Sequence, residues 1–483
     1  MKGFRLFFKR HWKLLTVLFV LLYLFVGMLA PFARQKRIEA GENPYRREDF
    51  YAAENEGMSV DRAHVVEANT EALELRLRMA EEARERIILS TFDYREDEST
   101  WDLSAALYAA AERGVHIEIM VDGISGFLRM ERNPFFYALS SHPQIEIRIY
   151  NPPNLLKPWG LNGRMHDKYV ICDDKAMLLG GRNTFRYFLG DYETNDRSYD
   201  REVMIYNTDY ANGTAKSVIS QVEEYYNGIW DGPYMRVFHD DEGLKEKDKV
   251  QECIVKLQER YEGLKEHYPQ CFDDYSYRDH TVAVRKAALI SGETGIYGKK
   301  PYVWDTLKNL MADADEKVVL HTPYAVLDSQ MEDGMKEIAA KVDDFSMILN
   351  SIENGDNVVA SSDYRIHKKD IIDTGVQLYE FDGGDSSHGK SILIDDDMAI
   401  IGSFNLDMRS VYMDTELMLA IHGEEFSSEL KAHMDVFQEK CRKVLDEKNY
   451  EVPEGVTVQE IPLKKQIIFR ILGPLLQPFR YLA

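Results

Sequence analysis

The sequence predicts an α/β protein of two similar lobes behind a single N-terminal membrane-spanning helix. Three observations carry that reading. An uncharged run of 20 residues, Leu14 to Ala33, lies near the start. Strand-like and helix-like segments alternate through most of the remaining chain. One polar pattern occurs twice. "MHDKYVICDDKAMLLGGRN" holds His166, Lys168, Asp173, Gly180, Gly181 and Asn183. "SHGKSILIDDDMAIIGSFN" holds His388, Lys390, Asp395, Gly402, Ser403 and Asn405 at the same spacing, with 17 residues from His to Asn in both.

The uncharged run spans about 30 Å as a helix, the thickness of a bilayer's hydrocarbon layer. A cleaved signal peptide is the competing reading, but neither Ala30 nor Ala33 has a small residue at the required distance before it. The basic segment 1–13 carries Lys2, Arg5, Lys9, Arg10 and Lys13, against Arg34, Lys36 and Arg37 after the span. That bias puts the N-terminus inside and the body of the protein on the extracytoplasmic side of the cell membrane.

At 483 residues the chain suits two domains, and 45% hydrophobic content supplies large cores. A formal charge of −23 argues against a nucleic-acid partner, because phosphate backbones require basic surface. The four cysteines have no C-x-x-C spacing, which speaks against a zinc site, and no His/Asp/Glu cluster suggests another metal. Cys253 and Cys271 pair only if their domain lies outside the cell, and are otherwise free thiols.

The duplication extends beyond the short pattern. "ERIILSTFDY", "DLSAALYAAAERGV" and "VHIEIMVDG" read as strand, helix and strand before the first copy. "EKVVLHTPYAVL", "MEDGMKEIAAKV" and "FSMILNS" do so before the second. After each copy comes acid, any residue, Glu, apolar, Met, apolar: Asp200 to Ile205 and Asp414 to Leu419. The expected lobes are 70–245 and 285–450, with a juxtamembrane connection at 34–69 and a helical linker at 246–284. The tail, 451–483, is basic and apolar after Glu460 and is interrupted by Pro474 and Pro478. It either lies in the lipid headgroup layer or docks on the protein's own core.

Within each copy, the i, i+2 spacing of a strand turns His and Lys to one face. The next strand forms a hairpin partner, with glycines that allow close backbone approach and Asn at the same tip. Asp173 and Asp395 fall in turn-like "DD" contexts and read as structural. Paired across a pseudo-two-fold axis, the tips bring together two histidines, two lysines, two asparagines and Ser403. Such a site suits a phosphate group. One imidazole can attack phosphorus while the other protonates the leaving oxygen. Each needs an orienting partner on its other nitrogen, for which Glu202 and Glu416 are the candidates.

Both copies resemble the signature of the phospholipase D superfamily, H-x-K-x-x-x-x-D followed by G-[GS]-x-N. The resemblance covers both lobes. It implies a mixed sheet with flanking helices in each half, and a metal- and cofactor-independent route through a phosphohistidine. It assigns catalysis to His166, Lys168, Asp173, His388, Lys390 and Asp395, with Asn183, Ser403 and Asn405 in support. "GSFNLDMRSVYMDTEL" further resembles the bacterial cardiolipin synthase branch at Asn405, Asp407, Arg409, Ser410 and Glu416. Two features depart from that branch: one N-terminal span where two are common, and Asp414 where Asn is commoner. The resemblance implies a phosphatidyltransferase that takes phospholipids such as phosphatidylglycerol at a bilayer. The alternatives are a phospholipase D hydrolase with water as acceptor, a nuclease, and an inactive lipid-binding protein. His166 is the favoured nucleophile.

Overall fold

The computed structural model describes residues 2–29, 37–39, 41–53, 55, 57–194, 197–355, 357–461 and 463–482. Each lobe is built on a nine-stranded mixed sheet. The first runs, edge to edge, through Val282–Ala283, Asp61–Val66, Glu202–Asn207, Ala176–Gly180, Tyr169–Cys172, Arg86–Thr91, His116–Asp122, Ile145–Tyr150 and Met235–Val237. The second runs through Lys286–Ser291, Leu417–His422, Met398–Gly402, Ser391–Ile394, Lys317–His321, Asp344–Asn350, Gln377–Phe381, Cys441–Val444 and Tyr450–Glu451. In both, three consecutive strands in the middle of the order are parallel and the rest antiparallel. The parallel strands are joined by helices, and their apolar runs are buried on both faces.

Helix starts follow local chemistry. Asp97 caps Glu98–Glu112 by accepting from the Thr100 amide, and Asp328 caps Ser329–Lys341 by accepting from that of Met331. One face of each sheet is covered by its own helices, giving each lobe a core. The other faces meet each other. Val65, Ile171, Leu179 and Val203 of the first sheet and Val319, Leu393, Ile401 and Leu419 of the second belong to one apolar cluster at the seam.

Two expected boundaries shift. Asp61–Val66 lies inside the region read as a juxtamembrane connection, yet it pairs along its length with Glu202–Asn207. Val282–Ala283, inside the expected linker, adds the edge strand to the first sheet. The linker's helix, Asp248–His267, buries Val250, Leu257 and Leu264 and packs as an arm on helices Glu98–Glu112 and Pro134–Ser140. Cys253 and Cys271 are both free thiols.

The N-terminal helix spans Lys2–Leu29, and its window Arg10–Gly27 is long and apolar enough to cross a membrane by length and composition. Residues 30–33 of the expected span, with Arg34 and Lys36, lie outside the described residues. The tail forms a helix, Leu463–Leu476, and a turn, Gln477–Leu482, docked on the second lobe. Phe469 is buried, Lys465 donates to the carbonyls of Glu353 and Gly355, and Arg480 pairs with Asp363 at 2.9 Å. Leu463, Ile467, Ile471 and Leu475, four residues apart, are exposed on the helix. The tail therefore belongs to the second lobe through one face and leaves an apolar stripe uncovered.

Phe469→Ala should cost about 3 kcal/mol, because it empties a filled site in the core, while Ile471→Ala on the exposed stripe should stay within about 0.5 kcal/mol. Denaturant unfolding in detergent reads both. Equally small losses would show that the tail is not part of the lobe.

Candidate active site

The repeated pattern folds as two equivalent hairpins. Tyr169–Cys172 pairs antiparallel with Ala176–Gly180, and Ser391–Ile394 with Met398–Gly402. His166 and Lys168 sit in the extended segment just ahead of their strand, as His388 and Lys390 do ahead of theirs. The amides of Gly180 and Gly402 donate to the carbonyls of Lys168 and Lys390, at 3.1 and 3.2 Å, and so continue each hairpin. A Cβ on Gly402 would stand 2.1 Å from the Leu417 carbonyl oxygen, and one on Gly180 would stand 2.4 Å from that of Arg201. Only glycine allows the neighbouring strand so close.

The two hairpin ends meet across the seam through short parallel pairings. Ser386 and Ser387 pair with Ser198 and Tyr199, and the next residues in register are His388 and Asp200. Met165 pairs with Thr415, and the next are His166 and Glu416. Each histidine thus meets a carboxylate of the other lobe. His388 Nδ1 lies 2.7 Å from Asp200 Oδ2, and His166 Nδ1 lies 2.9 Å from Glu416 Oε1. The two histidine side chains keep only 9% and 12% exposure, so little water shares the site. Lys168 Nζ donates to the His166 carbonyl at 2.5 Å, and Lys390 Nζ donates to that of His388 and lies 2.7 Å from its Nδ1. Phe92 and Phe188 stand against His166 and His388, with ring centroids 5.3 and 5.1 Å apart.

The carboxylates are held differently. Glu416 accepts from Ser403 Oγ at 2.5 Å and Ser410 Oγ at 2.6 Å. Burial nevertheless pushes it up to about 8, against Lys168 and the two hydroxyls. Burial, with Lys168 and Lys390 adding, holds His166 well below the usual imidazole range. The His166–Glu416 pair is therefore held in its uncharged form. Burial also works to raise Asp200, but Lys390 and His388 outweigh it and take the carboxyl down to about 2. Asp200 is therefore an anion beside His388, and its charge favours a proton on that imidazole. Burial pushes Lys168 down to about 7, opposed by Glu416 and reinforced by Lys390.

Not every expected residue is at the site. Asp173 accepts from the amides of Arg84, Glu85 and Arg86, and Asp395 accepts from those of Asp315, Glu316 and Lys317. Both adopt positive φ, 49° and 51°, and clamp a turn at the far end of the strand, about 20 Å from the histidine by the rise of an extended chain. Their carboxylates are engaged by backbone amides there and do not join the histidines, where the resemblance would have them. Glu202 does not orient a histidine. It is buried between Arg76, at 2.5 and 2.9 Å, and Arg182 at 3.3 Å. Asp200 stands against His388 in its place. Asn183 Oδ1 accepts from the Asp93 amide, whereas Asn405 Oδ1 is buried with no hydrogen-bond partner among the described residues.

Sequence reasoning passed over Asp200 as an orienting group, although it heads the second repeated element. It also passed over Ser410 as a support for Glu416, Phe92 and Phe188. Lys299 carried no motif signal at all. Its Nζ is buried without a hydrogen-bond partner among the described residues. Burial pushes it down to about 8, against Asp414, Asp167 and Glu416. Among the described residues no group of three or more His, Cys, Asp or Glu is arranged to hold a metal ion.

Two histidine–lysine hairpins facing each other across a duplicated α/β fold define a phospholipase D-type enzyme. Residues 77–230 and 307–437 match the family described as cardiolipin synthase, PLD-like domain, which covers both lobes and more than half of the chain. The chain belongs to that family. Among its relatives, cardiolipin synthase C of Escherichia coli K12 is 26% identical over 404 residues, covering 74% of this chain and 81% of the relative. Cardiolipin synthase B of Salmonella typhi is 24% identical over 376 residues, covering 75% and 77%. Among solved structures, phosphatidylserine synthase of Haemophilus influenzae Rd KW20 superposes with a TM-score of 0.59 at 14% identity, over 87% of this chain and 95% of that one, and shows the same fold.

The second glycine position of the repeat differs between the halves, and in each it meets the acid used there. A Cβ on Gly181 would stand 2.3 Å from Asp200 Oδ1, whereas the equivalent Ser403 supports Glu416. Gly181→Ser should push Asp200 off His388 and lower kcat by about 10²-fold or more, since the imidazole loses its orienting group. Steady-state kinetics at matched thermal stability test this. Wild-type turnover in a folded Gly181→Ser protein would show that Asp200 does not act on His388.

Proposed function

We propose that the chain is a membrane-bound phosphatidyltransferase working through a phosphohistidine, and that its product is cardiolipin. The observation that supports this most is the pair of histidines, each held at Nδ1 by a carboxylate of the other lobe, with two lysines beside them. The names of the relatives, cardiolipin synthases at 24–26% identity, support the choice of lipid.

His166, kept neutral by burial and the two ammonium groups, is the nucleophile. Its Nε2 forms a bond to the phosphorus of one phosphatidylglycerol as the bond from phosphorus to the glycerol oxygen breaks. His388, whose protonated form the Asp200 carboxylate favours, gives its proton to that oxygen, and glycerol leaves. A headgroup hydroxyl of a second phosphatidylglycerol then returns a proton to His388 and displaces His166, giving cardiolipin. Lys168 and Lys390 neutralise the charge on the phosphoryl oxygens through both steps. Water in place of the second lipid would make the same site a hydrolase releasing phosphatidic acid. In this reading the N-terminal helix is the membrane anchor, and the basic excess ahead of it supports an extracytoplasmic side for the lobes.

His166→Ala and His388→Ala should each lower cardiolipin formation in reconstituted vesicles by about 10³-fold or more, and the double variant should lose little further, because the two groups act as one unit. Substantial residual turnover in either single variant would contradict the shared site. The lysine gives a pH signature. Lys168 is charged below about 7 and loses its proton above it. kcat/KM, which reports the free enzyme, should therefore fall as pH rises through that region. Lys168→Arg, whose charge persists, should remove this alkaline limb from whatever activity it retains. An unchanged limb in that variant would assign the titration to another group.

A further inference from the structure

Two loops beside the site carry apolar side chains into solvent at their tips. Gly123–Met130 exposes Ile124, Phe127 and Leu128, at 38%, 61% and 63%. The segment 151–163 exposes Leu155, Leu156 and Trp159, at 71%, 87% and 39%. Their roots are tied down. Asp122 accepts from the Ile124 amide with one oxygen and from the Met165 amide, next to His166, with the other. A Cβ on Gly123 would stand 2.3 Å from the Asn151 carbonyl oxygen, so the two loops rise side by side. Asn151 Nδ2 donates to the carbonyls of Gly160 and Gly163, and Arg164 donates back to the Asn151 carbonyl. Fixed roots under exposed apolar tips are unusual for a surface that meets only water.

The loops are continuous with the N-terminal helix. Tyr23 OH donates to the Leu155 carbonyl at 2.5 Å, Asn162 Nδ2 donates to that of Gly27 at 2.7 Å, and the helix packs on Pro158–Gly160. The same helix also touches the turn Gln477–Leu482 that follows the exposed stripe of the tail. Charge points the same way. Residues 123–133 and 151–163 contain Arg129, Arg132 and Lys157 against one acid, Glu131, in a chain of net charge −23. Basic side chains around apolar tips suit an anionic lipid surface.

We propose that these loops form an apolar apron that enters the lipid headgroup layer beside the N-terminal helix and admits a diacyl phospholipid to His166. The partner is the bilayer itself, and the proposal rests on the membrane-bound reading above. It assigns Leu155, Leu156, Phe127 and Leu128 a contact with lipid that the tail alone does not supply.

Two measurements on the full chain in anionic vesicles test it. In the first, a fluorophore on Leu156→Cys, in a Cys253→Ser background, is challenged with spin-labelled lipids. Quenching is expected. No quenching, or cross-linking of that position to a second copy instead, would overturn the proposal whatever the enzyme's activity. In the second, the Leu155→Ser/Leu156→Ser variant is compared with wild type on vesicles and on a short-chain phosphatidylglycerol below its micellar concentration. Turnover on vesicles should fall about tenfold relative to the soluble lipid. An unchanged ratio, with wild type active on both, would overturn the apron alone. A wild-type protein inactive on both would instead sink the transferase reading, leaving the quenching result to decide the apron.

Discussion

Two short parallel pairings across the seam between the lobes hold the site together. One joins Ser386–Ser387 to Ser198–Tyr199, and the other joins Met165 to Thr415. Each sets a register, and the register places a histidine beside a carboxylate one step further on. Neither lobe contains a complete histidine–acid pair by itself. The chemistry therefore depends on the apolar seam that presses the sheets together, where Val65, Ile171, Leu393 and Ile401 are packed. That burial offsets what it costs to keep Lys168, Lys390, Glu416 and Asp200 out of water.

The duplication is not fully symmetric, and the asymmetry has a physical origin. Along the second repeated element, the acid used in the first lobe is Asp200 and the acid used in the second is Glu416, two places further on. A shift of two residues keeps a side chain on the same face of an extended strand. Gly181 leaves space for the Asp200 carboxylate, while Ser403 and Ser410 hold Glu416. Arg182, which stands where the second lobe has Phe404, draws Glu202 into a buried cluster with Arg76. Removing one member of such a cluster leaves an uncompensated charge, so Glu202 is committed to the first lobe's stability. The outcome is two imidazoles in different electrostatic surroundings, one beside an uncharged acid and one beside an anion. A nucleophile and a general acid need that difference.

Much of this was legible in the sequence because it is carried by short-range patterns. Equal spacing of His, Lys, Gly and Asn in two places gave the hairpins, the paired tips and the two-lobed α/β fold. The turn-like context of Asp173 and Asp395 indicated a structural clamp, and each closes three backbone amides. What local pattern could not reveal was contact across the seam. Asp200 and Glu202 have the same alternation phase, and only the Arg76 and Arg182 side chains, about 125 and 20 residues away, separate their roles. Asp61–Val66 was hidden for a related reason: a short strand after a polar stretch is recognised by its partner, Glu202–Asn207, far along the chain. The tail was readable as basic and apolar, but its docking through Phe469, Lys465 and Arg480 is a property of the second lobe's surface.

The central claim is that the seam builds one site with unequal histidines, of which His166 takes the phosphatidyl group. The most direct measurement is peptide mass mapping after an alkaline quench of wild-type protein turning over short-chain phosphatidylglycerol. The account predicts a phosphatidyl adduct on the peptide containing His166, lost in His166→Ala. An adduct on the peptide containing His388, or turnover with no adduct on either, would contradict it.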